Sequence, residues 1–286
     1  MAENEGFVPS IISSSNDNRA ERKTNVAASK KRATIEQIYQ SLKDRAPEPL
    51  IFDNQMVKQI TQTKGFGNQF DATKFDQSAK LPEALRNDDR FILHLGSGCH
   101  CFAKGVSIGY HRFETIADDE VEQRKYKPYA LNGLDTSEAG TLSLAFNQRI
   151  VQLFLYDDIV ASPLIYLPRR TKASFEIILG EQRFNVEDLQ IERDLTIEHG
   201  GEITVFEAKN GKPLDFNVFQ LYNPYRYLKA LLTGAESPYA GIRLVYLVKG
   251  PAQKHIELAL WEYTFEDELR PDSIVCRRKR KYILSK

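Results

Sequence analysis

The stretch from Gln190 to Lys209 sets Glu192, Asp194, Glu207 and Lys209 on either side of the glycine pair Gly200-Gly201, between two β-rich runs. With those glycines as a two-residue hairpin loop, His199 faces Glu202, Asp194 faces Glu207, and Glu192 faces Lys209. Side chains alternate between faces along a strand, so these three acids and the lysine share one face, while Ile191, Leu195, Phe206 and Ala208 share the other. Two carboxylates directly opposed across neighbouring strands repel, and a divalent cation between them removes the conflict. Hard cations such as magnesium take oxygen ligands, which makes Asp194, Glu207 and the Ala208 carbonyl a candidate ligand set. Lys209 then points to the same place, where it can orient or help deprotonate an attacking water and stabilise charge developing on a phosphate. This is a layout for metal-assisted phosphodiester hydrolysis. Without a metal, the same face reads as a solvated hairpin with a Glu192–Lys209 ion pair of little energetic weight.

The elements that must position these groups lie between about residues 135 and 250. Ala139, Leu142, Ala145, Phe146, Ile150, Leu153 and Phe154 recur as one long apolar helix. Strands are expected at Phe175–Leu179, around Phe184, at Leu189–Glu198 and at Glu202–Lys209. A helix follows from about Phe216 to Leu232, with Pro224 disturbing its middle, then strands at Ile242–Val248 and Trp261–Phe265. The expected class is α/β, an α+β mixed-sheet core spanning 114–286.

Upstream, residues 1–33 are polar, and Arg19, Arg22, Lys23, Lys30, Lys31 and Arg32 make the later part basic. This reads as a disordered basic arm, either a solvated tail or a wrap for DNA phosphates. A short amphipathic helix over Thr34–Lys43, a second starting at Asp53 and stopping near Gly65, and a hairpin over Phe91–Phe102 suggest a winged helix-turn-helix domain over 34–113. In such a domain Gln62, Lys64, Asn68, Gln69 and Lys74 are candidate DNA contacts; the alternative is an accessory cap on the larger domain. Cys99, His100 and Cys101, with His94 and His111, lack zinc-site spacing, because adjacent strand residues point to opposite faces.

Lys plus Arg and Asp plus Glu both number 39, so the formal charge is zero and any nucleic-acid surface must be a local patch. One such patch is Arg277-Arg278-Lys279-Arg280-Lys281, either solvated surface or a phosphate contact. Three cysteines in 286 residues argue against a disulfide framework, and no apolar run approaches a membrane span. A soluble, cytoplasmic protein without membrane contact is expected.

Asp194 followed by Glu207-Ala208-Lys209 at the end of a second strand resembles the PD-(D/E)XK nuclease superfamily, and bacterial type II restriction endonucleases in particular. The resemblance covers about residues 135–250. It implies a restriction-endonuclease-like core, Mg2+ as cofactor, double-stranded DNA as substrate, a homodimer that cuts both strands, and a companion DNA methyltransferase as a separate protein. It also implies that Gln220 and Tyr225 on the next helix lie near the catalytic residues, and that Glu138, starting the long apolar helix, lies beside the metal. Glu138 has a second reading, as the partner of Asp135 in a capping box. The usual proline before the first acid is replaced by Arg193, and the Gln-to-Tyr interval differs by one residue from the commonest form. A structure-directed repair or recombination nuclease and a non-catalytic winged-helix DNA-binding protein are the competing expectations.

Overall fold

In a computed structural model the chain is described over residues 14–129, 137–166, 169–233, 239–251 and 255–285. The elements run α1 (Ser14–Lys43), β1 (Ile51–Asp53), α2 (Asn54–Lys64), α3 (Glu83–Asn87), β2 (Arg90–Gly96), β3 (Cys99–Lys104), α4 (Val106–Gly109), β4 (Tyr110–Arg112) and β5 (Val121–Lys125). They continue with α5 (Glu138–Asn147), α6 (Ile150–Tyr156), β6 (Leu164–Tyr166), β7 (Arg169–Leu179), β8 (Gln182–Arg193), β9 (Leu195–His199), β10 (Glu202–Asn210) and β11 (Asp215–Asn217). The last are α7 (Phe219–Leu232), β12 (Gly241–Lys249), β13 (Ile256–Phe265) and β14 (Ile274–Ser285). The mixed α/β class is as expected.

A seven-stranded sheet, ordered β5-β14-β13-β12-β10-β9-β6, carries the Gly-Gly hairpin near one edge. β10 and β12 run parallel, and a parallel pair needs a crossover, here α7. Along β10 and β12 the faces alternate. Val205, Leu244 and Tyr246 share a core with Leu221, Tyr222 and Leu228 of α7, whereas Phe206, Ala208, Val245 and Leu247 share one with Leu142, Ala145, Val151 and Phe154 of α5 and α6. Covering both faces is what makes these strands nearly continuous apolar runs.

The second sheet, ordered β1-β3-β2-β8-β7, joins the N-terminal hairpin to strands from the middle of the chain. The junction is the Gly96–Glu187 pair. A Cβ on Gly96 would lie 1.9 Å from the Glu187 carbonyl oxygen, and its φ is +82°, so only glycine fits this approach. One core runs from Ile35, Ile38 and Tyr39 of α1 through Phe91 and Phe102 to Tyr246 and Tyr263. The hairpin expected as a wing is therefore built into a larger sheet.

The two sheets share a strand pair. β6 pairs with β9 through Leu164–Glu198 and Tyr166–Thr196, and β7 pairs with β8 through Arg169–Arg193 and Arg170–Glu192 in the same register. Asp194 sits at the bend where this long ladder passes from one sheet to the other.

Several expectations are corrected. The arm becomes helix from Ser14 onward: Ala, Arg, Lys and Glu are good helix formers, and a docked segment propagates helix more readily than a free chain nucleates it. Residues 1–13 lie outside the described residues. The long apolar helix divides into α5 and α6 at Arg149, whose φ is +61°. α2 keeps its Asp53 cap, with Met56 N donating to Asp53 Oδ1 at 2.8 Å, and ends at Gly65 as expected. α7 runs through Pro224, which leaves the Gln220 carbonyl without the donor that position supplies in other helices.

Candidate active site

The turn at Gly200 and Gly201 has φ of +59° and +81°, conformations that glycine adopts at little cost, and the ladder beyond it has the expected register from Glu202–His199 to Phe206–Leu195. It stops one residue short of Asp194–Glu207. From the bend, Asp194 Oδ2 accepts the main-chain N–H of Ala208 at 3.0 Å. In an extended strand one residue's N–H and C=O point to the same side, so the Ala208 carbonyl also faces the space beside Asp194, beyond the end of the ladder.

Glu207 is 12 % exposed and Lys209 19 %, with Lys209 Nζ 3.0 Å from Glu207 Oε1. The same ammonium lies 2.5 Å from Oε1 of Glu138, which is 45 % exposed and forms the water-facing rim. α5 is held over the end of β10 by Thr141 Oγ1 donating to Asn210 Oδ1 at 2.7 Å, and Glu138, one turn earlier, is on the same helix face. The helix cap is Ser137, whose hydroxyl accepts Gly140 N at 3.0 Å. That corrects the capping-box reading and leaves Glu138 for Lys209. Asp135 lies outside the described residues.

From α7, Gln220 Nε2 donates to Glu207 Oε1 at 2.6 Å, and Tyr246, paired with Glu207 across β10 and β12, donates its hydroxyl to Gln220 Oε1 at 3.3 Å. Sequence reasoning missed Tyr246; its signal is the apolar β12 run, which hides a phenol beside the acid.

Two expected members are elsewhere. Glu192 belongs to β8, and its carboxylate is 3.0 Å from Nε of exposed Arg170 on β7, because the strand changes sheets before Lys209 is reached. Tyr225 packs its ring 5.3 Å from that of Phe265, five residues and about 140° around the helix from Gln220. Tyr227, seven residues on, returns to the face of Gln220 and lies under the Arg193 guanidinium, 5.0 Å from ring centroid to Cζ. The i, i+7 spacing is the signal that would have chosen it over Tyr225.

The electrostatics explain the state of each group. Loss of water around Glu207 outweighs the attraction of Lys209 and, with Asp194 and Glu138 adding repulsion, pushes its carboxyl up to about 8. Asp194 is also raised, by burial first, against the opposing pull of the Ala208 N–H and Lys209. For Lys209 burial pulls downward, but Glu207 and Glu138 prevail and hold the ammonium above its ordinary range.

Among the described residues no three His, Cys, Asp or Glu side chains are gathered closely enough to hold a metal ion by themselves. The donor chemistry fits magnesium nonetheless: Asp194, Glu207 and the Ala208 carbonyl are oxygen donors, and the two acids are in surroundings that disfavour their charge unless a cation joins them.

Of the candidate DNA contacts, Gln62 and Lys64 end α2, and Asn68, Gln69 and Lys74 lie in the loop after it; all are exposed except half-buried Gln69. The basic cluster belongs to β14 and is matched by acids: Arg278 to Asp157 at 2.8 Å, Lys279 to Glu120 at 3.2 Å and Arg280 to Glu122 at 3.7 Å. In the N-terminal hairpin His94 and His100 meet Nδ1 to Nδ1 at 2.9 Å, His100 Nε2 is 2.9 Å from Asn54 Oδ1, and His111 pairs with Glu114. Burial pushes His94 down to about 3 and His100 to about 4. All three cysteines are free. No described helix is long and apolar enough to cross a membrane.

Comparison with curated proteins and with solved structures gives no match. Residues 33–102 match the family model described as Domain of unknown function (DUF6996), and residues 106–283 match that described as Domain of unknown function (DUF6997). The division falls at the end of the hairpin that the five-stranded sheet joins to β8. Since the second match covers more than half of the chain, this protein belongs to the DUF6997 family.

Proposed function

We propose that this protein is a magnesium-dependent endonuclease that cuts double-stranded DNA at a defined sequence, as type II restriction enzymes of the PD-(D/E)XK kind do. The observation that carries the reading is the meeting of Asp194, Glu207, Lys209, Glu138 and Gln220, from a strand bend, a strand end and two helices, at one partly buried corner.

Asp194, Glu207 and the Ala208 carbonyl would hold the metal, with Glu138 at the rim. Magnesium, when bound, supplies Lewis-acid stabilisation of charge on the phosphate and a more acidic water. Lys209 keeps its proton and offers an ammonium to the same developing charge. Gln220 fixes one Glu207 oxygen by its hydrogen bond, with Tyr246 fixing Gln220 in turn. The N-terminal segment, two helices and the hairpin carrying exposed Gln62, Lys64, Asn68 and Lys74, is the part that would read the duplex, in the winged-helix manner or as a cap. Cutting both strands calls for two copies of the site, hence a homodimer, and a companion methyltransferase would protect the host sequence.

The test is digestion of plasmid DNA in magnesium by the full chain. Discrete fragments with fixed ends are expected, and Glu207→Ala is expected to bind DNA without cutting it. No cleavage in magnesium or manganese would sink the assignment, and cutting confined to branched substrates would move it to a repair nuclease. The bidentate role of Lys209, already neutralising Glu138 and Glu207, favours one other reading, a non-catalytic DNA-binding protein in which the cluster is structural. Binding with no cleavage under any metal is its signature.

A further inference from the structure

The two edges of the seven-stranded sheet are unlike. β5 carries Glu122, Arg124 and Lys125, the charged dressing that keeps an edge from pairing with another chain. β6 carries no charge: Leu164, Ile165 and Tyr166 are 62 %, 54 % and 49 % exposed, and the preceding loop adds Ile159 at 48 % and Val160 at 79 %. The other exposed large apolar residues are scattered along the chain, whereas these five fall within 159–166. One side of β6 is bonded to β9, and among the described residues no strand pairs with its other side.

We infer that β6 and the Ile159–Val160 loop form the surface on which a second copy of this chain docks, β6 against β6 in antiparallel fashion. Antiparallel pairing of identical strands is isologous, which is the geometry a two-fold dimer requires. Charge agrees with that direction. Exposed Asp158 precedes the apolar segment, and Arg170, already beside Glu192, and exposed Lys172 follow it on β7, so a two-fold through Ile165 turns Asp158 of each copy toward the end of the other that carries Lys172. A three-residue ladder is small beside the roughly 800 Å² per partner of a stable interface. The apolar loop is what enlarges it.

This docking deepens the nuclease reading and rests on it for its purpose. β6 borders β9, and Asp194 immediately precedes β9. A two-fold perpendicular to the joined sheet keeps both sites on one face, three strand spacings apart laterally and a few residues apart along the strands. That separation is on the order of 25 Å, comparable with the width of a duplex.

The experiment is light scattering after size exclusion on the full chain, without DNA or magnesium, for wild type, Ile165→Lys, Leu164→Lys and Ile165→Cys. A dimer is expected for wild type. Both lysine variants should elute as monomers with unchanged circular dichroism, and Ile165→Cys should form an inter-chain disulfide on oxidation that wild type, with its own cysteines, does not. On supercoiled plasmid the lysine variants should accumulate nicked circles where wild type yields linear DNA. A monomeric wild type at the highest soluble concentration, or a dimer that survives both lysine variants, overturns the docking. Because mass is read without cleavage, that failure is separable from failure of the nuclease assignment, which would appear as a normal dimer that leaves plasmid intact.

Discussion

Gln220 gives Glu207 a 2.6 Å hydrogen bond from a helix on the same face of the sheet, and the opposite end of its amide is held by Tyr246. The amide is thereby oriented: its nitrogen faces the acid and its oxygen faces the phenol. One oxygen of Glu207 accepts from both Gln220 and Lys209.

Glu207→Gln keeps the size of the side chain and removes its charge. Cleavage should fall by about 10³-fold or more, the scale seen when a group that stabilises the transition state is lost, while DNA affinity measured in calcium stays within a few-fold. Retention of more than a tenth of wild-type kcat would show that Glu207 has no part in the chemistry.

Lys209→Ala should also stop cleavage, but with the opposite effect on the metal. The ammonium competes with any divalent ion for Glu207 and Glu138, so its removal should tighten magnesium binding in calorimetry. Weaker binding would mean that Lys209 helps build the metal site instead of competing with it.

The apo protein should be most stable at mildly acidic pH. Glu207 has a folded pKa raised from 4.5 to about 8, so its contribution is full below the unfolded value and is lost as pH rises through that window, at a cost on the order of a few kcal/mol. His94 and His100 have folded values lowered from 6.5 to about 3 and about 4, so their contribution is present above 6.5 and is lost as pH falls through those values. Thermal melts should show Tm declining from pH 6 to 9 and magnesium restoring more of it at pH 9 than at pH 6. A Tm that is flat above pH 6 and insensitive to magnesium counts against a buried carboxylate awaiting a cation.

Gly96→Ala should destabilise the fold by at least about 3 kcal/mol, since a Cβ would sit 1.9 Å from the Glu187 carbonyl oxygen at a φ of +82°. Denaturant melts give the number. A loss below about 1 kcal/mol would mean that β2 and β8 separate easily.

Asp194, Glu207 and Lys209 were legible because their placement follows from local rules, alternation along a strand and the turn that two glycines make, whereas Gln220 was named only through the resemblance. Glu138 needed the resemblance as well, since local chemistry also offered it a cap. What escaped depends on pairing between distant segments. Glu192 departs because the strand bends at Asp194 to join β7, and no residue pattern announces a change of sheet. The positive run on β14 looked free because Glu120, Glu122 and Asp157, which neutralise it, are more than a hundred residues away. Likewise the N-terminal hairpin read as a separate wing, since its junction to β8 is a single close approach at Gly96.

The ladders that join 164–166 to 196–198 and 169–173 to 189–193 hold one alignment on the two sides of the Asp194 bend. A slip of one position would have to occur in both sheets at once, turning buried Ile191 outward in one and Ile197 outward in the other. The acid at the corner is thus indexed twice, like a page held by two pins, and its distance from Ala208 is guarded by packing far from any chemistry.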